Sequence, residues 1–152
     1  MQLSLFVSLA RRALPILLTV LALGMTSVFA TEQKLQAKLI WGTDDAKPSV
    51  ANLKEVDAKL KDKFCGIFKW KNYFEVGQEH FSLAPDEVKK VKMSAKCEIE
   101  VRKEANGMFE VRLYGEGKCI KKVRQAIPPG ELLVIAGDDK NATAWFVVLN
   151  IE

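Results

Sequence analysis

A single histidine, His80, serves the whole 152-residue chain, so any Ser-His-Asp or Cys-His arrangement would have to run through it. Its neighbours, Gln78-Glu79 before it and Phe81 after it, place it on the outward side of a short strand or turn. Cysteine is nearly as scarce. Cys65, Cys97 and Cys119 form no C-x-x-C pair, and with one histidine a zinc site lacks its donors. No G-x-S-x-G, H-E-x-x-H, phosphate-binding or dinucleotide glycine pattern is present, and no cofactor is implied. Charge of one sign is also missing. The 23 basic and 19 acidic side chains are mixed along the chain, which argues against binding nucleic acid by phosphate neutralisation.

The clusters that do occur have ordinary explanations. Lys118, Lys121, Lys122 and Arg124 read as one solvated strand face. Glu98 and Glu100 alternate onto a solvent-facing side, where nothing raises a carboxyl pKa for acid catalysis. Asp44-Asp45, and Asp138-Asp139 with Asn141, lack the spacing of a calcium loop and match turn chemistry instead.

What is present begins with residues 1–30. Arg11 and Arg12 precede an apolar run from Ala13 to Met25, and Thr26-Ser27-Val28-Phe29-Ala30 ends it in small residues. This is the three-part grammar of a signal peptide cleaved after Ala30. The run is shorter than the roughly 20 residues that span a bilayer, and Pro15 interrupts it, so cleavage is favoured over a retained anchor. Loss of Arg11 and Arg12 lowers the formal net charge from +4 to about +2. Residues 31–152 then form one exported domain, periplasmic or secreted, with no stable membrane span after cleavage.

Within that domain Lys34–Trp41 alternates as a strand, broken only by Ile40. Over Ala51–Phe68, Leu53, Val56, Leu60, Phe64 and Ile67 recur at helical spacing, with Ser49 as a candidate cap. Val91–Val101 is apolar at every odd position and polar at every even one, which predicts one long strand with one wet face. Ala105-Asn106-Gly107 turns the chain into Phe109–Leu113, in a register that sets Val101 opposite Val111 and Ile99 opposite Leu113. Gly115-Glu116-Gly117 turns it again, and Pro128-Pro129-Gly130 ends the following strand. Leu132–Ala136 and Trp145–Leu149 are continuous apolar runs, as expected of a central hairpin covered on both faces. The expected class is α+β: a mainly antiparallel sheet of six to eight strands, able to curl into a sandwich, with one amphipathic helix packed on it.

Two constellations remain as candidate sites. Cys97 and Cys119 lie near one end of a hairpin, but a strand separates them. They can form a disulfide only if the strand ends curl, and three free thiols is the favoured reading. Phe68–Phe74 interleaves Lys69, Trp70, Lys71 and Tyr73, a platform suited to a sugar ring, a peptide or an anionic polymer. The competing reading makes its aromatic residues anchors between helix and sheet. The leading function is an exported, non-catalytic domain that binds an envelope or extracellular protein or glycan. A small secreted hydrolase using His80 or Asp138 and Asp139 is the alternative, and a structural or assembly subunit that pairs through a strand edge is a third. N-terminal sequencing of the exported protein is expected to begin at Thr31. Recovery of the intact N-terminus would mean a retained anchor.

Overall fold

Residues 31–46, 53–137 and 143–152 are described by the computed structural model. The expected leader, the Ser49 cap and the Asp138-Asp139-Asn141 turn lie outside them. Alternating apolar and polar positions build nine strands and one helix among these residues. In chain order they are β1 (Gln33–Thr43), β2 (Lys54–Glu55), α1 (Ala58–Cys65), β3 (Asn72–Leu83), β4 (Val88–Lys92), β5 (Cys97–Lys103), β6 (Phe109–Gly115), β7 (Lys118–Gln125), β8 (Leu133–Ala136) and β9 (Ala144–Ile151). All strand pairs are antiparallel. They form a five-stranded sheet in the order β2-β3-β1-β9-β8 and a four-stranded sheet in the order β4-β5-β6-β7. The class is therefore α+β and dominated by antiparallel sheet.

The five-stranded sheet is the middle of three layers. On one face Leu35, Ala37 and Leu39 of β1 and Val147 and Leu149 of β9 meet Ile99, Val101, Val111 and Leu113 of the four-stranded sheet. On the other face Ile40, Tyr73, Phe146 and Val148 meet Leu60 and Phe64 of α1. A strand buried on both faces needs apolar residues at both parities, which is why β9 reads as a continuous apolar run. The hairpin is not central as a unit, however: β9 is internal, and β8 is the sheet's edge. The β1–β3 register shifts between Leu39 and Ile40, leaving Val76 of β3 as the extra residue. Ile40 breaks the sequence alternation because its face of β1, opposite to that of Leu39, meets the helix-side core there.

The long strand expected over Val91–Val101 is two strands. β4 ends at Lys92, Ser94-Ala95-Lys96 turns the chain, and β5 starts at Cys97. The Ser94 hydroxyl accepts from the Lys96 and Cys97 amides at 3.2 and 3.0 Å, and Met93 N–H donates to the Cys97 carbonyl at 2.9 Å. In the β4–β5 register Val91 faces Ile99 and Lys92 faces Glu98. Odd positions pair with odd ones, so the alternation passes through the turn unbroken, and the turn has no glycine, proline or asparagine to announce it. The Val101–Val111 and Ile99–Leu113 pairs occur as expected. Glu116 and Gly117 both take positive φ in the β6–β7 turn, at 50° and 77°. That is the two-residue turn that suits the right-handed twist of paired strands.

The helix is shorter than its sequence stripe. Asp57, not a residue near 49, caps it, its carboxylate accepting from Leu60 N–H at 2.9 Å. Leu53 and Val56 precede it in extended chain, and Ile67 beyond Gly66 is 70% exposed. Eight residues cannot hold a helix alone in water, so Leu60 and Phe64 fix it by docking on the sheet. Phe64 is expected to be critical, with Phe64→Ala costing about 3–5 kcal/mol in urea unfolding. Ile67→Ala, in spite of the shared spacing, should stay within about 0.5 kcal/mol of the parent.

Candidate functional site

Antiparallel pairing brings the end of β1, the start of β3, the end of β8 and the start of β9 to one end of the five-stranded sheet. Trp41 stands opposite both Phe74 and Trp145, and Gly42 opposite both Tyr73 and Ala144. Gly42 is required there by close packing, since a Cβ on it would sit 3.1 Å from the Phe146 ring and 3.2 Å from that of Tyr73. A Cβ on Gly137 would overlap the Trp145 indole. Two segments singled out in the sequence therefore meet at this end: Asp44-Asp45 after β1, and Lys69–Asn72 leading into β3.

They are joined by hydrogen bonds. The Asp44 carboxylate accepts from the Lys71 backbone N–H at 3.2 Å, and Asn72 Nδ2 donates to the Asp44 carbonyl at 3.3 Å. Thr43, buried at the strand end, accepts from Asp45 N–H through its hydroxyl at 3.1 Å. Lys69 Nζ lies 5.2 Å from the centre of the Trp70 ring, within cation–π range. Trp70 is half-buried, its ring edge-on to Phe146 at 5.7 Å, while Lys69 and Lys71 are exposed. Tyr73 departs from the platform reading: it is fully buried, with its ring edge-on to Phe64 at 5.0 Å. Phe64, Phe68, Tyr73 and Phe146 form one aromatic cluster. The aromatic half of the segment is thus largely core, and its lysines point outward.

The Tyr73 hydroxyl is buried with no hydrogen-bond partner among the described residues. Burial pushes its pKa up from 10.0 to about 12, with the Cys65 and Asp44 charges adding to the rise. The Trp70 backbone, close by, acts weakly in the other direction. Burial likewise pushes the Cys97 thiol up from 9.0 to about 11.

The other candidates are dispersed. All three thiols are free. Cys97 belongs to the inward face of β5, whereas Cys119 is paired with Tyr114 on the outward face, with β6 between them. Opposite faces and an intervening strand together keep them from bonding. Gln78 Nε2 donates to His80 Nε2 at 2.6 Å, which leaves the ring proton on Nδ1 for Glu152 Oε1 at 2.6 Å. The open hollow of about 430 Å³ beside His80 also holds Lys34, Ser82 and Lys89. A separate groove of about 180 Å³ lies between α1 and the sheet, lined by Gln36, Lys38, Lys63 and Asn150 beside Leu60 and Val148. Sequence patterning gave no sign of it, because its residues come from four segments distant in sequence. Glu100 bonds Arg112 at 3.0 Å and Glu110 bonds Lys122 at 2.9 Å on the outer face of the four-stranded sheet. The described residues include no cluster of three or more His, Cys, Asp or Glu able to hold a metal. Nor do they include a helix long and apolar enough to cross a membrane.

Tyr73 and Cys97 give the fold an alkaline limit. Both bind their protons more tightly when folded, so the unfolded chain releases them first and stability falls as pH rises from about 9 to about 12. Tyr73→Phe is expected to raise stability by about 1 kcal/mol at neutral pH, since it removes an unsatisfied buried hydroxyl. It should also flatten the loss above pH 10 in urea titrations. No protein-family model, curated protein or solved structure matches this chain.

Proposed function

We propose that this chain is an exported, non-catalytic binding domain that recognises an acidic protein or glycan of the cell envelope or exterior. Recognition takes place at the loop end of the five-stranded sheet. The observation that supports this reading is the tie between Asp44 and the start of β3. It fixes the backbone from which Lys69 and Lys71 project on either side of a half-buried indole in sequence, so less main-chain ordering is lost on binding.

The hydrolase alternative finds less support. His80 has both ring nitrogens engaged by surface groups, and its nearest carboxylate, on Glu152, is itself partly exposed. A nucleophile or second carboxylate in a dry site is what that chemistry would need.

Capture from the native envelope fraction tests the proposal. Lys69→Ala/Lys71→Ala is expected to lower recovery of the bound partner about tenfold, the equivalent of roughly 1.4 kcal/mol. Its melting temperature should stay near that of the parent, because both side chains are exposed. Undiminished capture would remove this end from recognition, and substrate turnover unaffected by the variant would favour the hydrolase.

A further inference from the structure

The four outer strands of the two sheets are not equally open. β2 is two residues long, β8 four and β4 five. On the side where β3 and β4 meet, Gly77 lies so close to the Met93 carbonyl that a Cβ would sit 3.0 Å from it. Lys89 Nζ caps the Ser82 carbonyl there at 3.0 Å. That seam is closed. β7, by contrast, is eight residues long and among the described residues has β6 as its only paired neighbour. Seven of its eight residues are exposed and the other, Val123, is half-buried.

A free edge strand invites pairing, and its side chains decide with what. β7 carries Lys118, Lys121, Lys122 and Arg124 and no acidic residue. Lys122 bonds Glu110, and Arg124 bonds Glu104. Lys118 and Lys121 have no ion-pair partner among the described residues. Two β7 edges laid together would set cation against cation, which disfavours a second copy of this chain. The register shift opposite Leu113 and Tyr114 leaves Ile120 as the extra residue, 40% exposed and lying across Gly115. Beyond it, Lys121–Gln125 pairs regularly with Leu113–Phe109.

We propose that the Lys121–Gln125 edge of β7 is completed by an extended acidic segment of a partner protein, added as a fifth strand to the four-stranded sheet. Main-chain hydrogen bonds supply the affinity, and acidic side chains opposite Lys121, Lys122 and Arg124 supply orientation and choice of partner. This surface is separate from the lysine-indole end, so either proposal can fail while the other stands.

The test uses the purified protein and a capped eight-residue peptide with Glu at the three positions set opposite Lys121, Lys122 and Arg124 and Val elsewhere. Two further versions are N-methylated at alternate residues, one along each edge. Backbone amide shifts on titration are expected to be largest at Lys121–Gln125. One N-methylated version should lose binding while the other retains it, because only one edge of the added strand meets β7. Lys121→Glu/Lys122→Glu should weaken the parent peptide at least about tenfold, and an amide spectrum otherwise like the parent's would show that it is folded. Equal binding of all three peptides would reduce the interaction to charge attraction and overturn strand addition. So would shift changes away from β7, or concentration-dependent self-association through β7 without peptide.

Discussion

Burial of the five-stranded sheet on both faces is the constraint from which the rest of this structure follows. β9 sends Phe146 and Val148 to one side and Val147 and Leu149 to the other. The second sheet and the helix are each needed to keep one of those faces dry. An eight-residue helix with no intrinsic stability is held because Leu60 and Phe64 close the Phe146 face. Ordinary alternation along β1 belongs to the same solution, because successive residues feed Leu39 to the sandwich and Ile40 to the helix.

That layering also determines where charge can go. The outer face of the four-stranded sheet is the broad surface left to water, and it is tiled with opposite charges. Arg124's hydrogen bonds hold the Glu104 carboxyl below its usual range, and Lys122's hold down that of Glu110. These exposed pairs add little stability individually. Their effect is to spend the acidic groups of this face on local partners. At its β7 edge Lys118 and Lys121, and at the loop end Lys69 and Lys71, have no ion-pair partner among the described residues. Each surface proposed for recognition therefore carries at least one cation that local pairing leaves uncompensated.

The loop end shows how a core can position a surface. Tyr73 and Trp70 belong to the cluster around Phe64 and Phe146, yet they alternate in sequence with the lysines that stay in water. A run of lysines and aromatics reads as a platform because the spacing of a platform and of a core anchor is the same. Burial separates them: Tyr73 is inaccessible, Trp70 half so, and only the lysine charges are fully presented.

Local chemistry alone determined much of this chain. Alternation placed β1, β5 and β6, glycine and proline marked most of the turns and so bounded β7, and the hairpin register at Val101–Val111 followed from Gly107. The exposure of Lys118, Lys121, Lys122 and Arg124 was equally legible, although Lys121, paired with Leu113, lies on the other face of β7 from Lys122. Tertiary structure decided the rest. Val91–Val101 divides into β4 and β5 because a hairpin that pairs odd residues with odd residues preserves a period of two. The helix keeps Leu60 and Phe64 but ends at Cys65, and in the turn that follows Phe68 rather than Ile67 packs on Phe146. Periodicity reports which residues share a face. Whether that face meets protein or water depends on what distant segments bring against it, and no spacing within the segment encodes that.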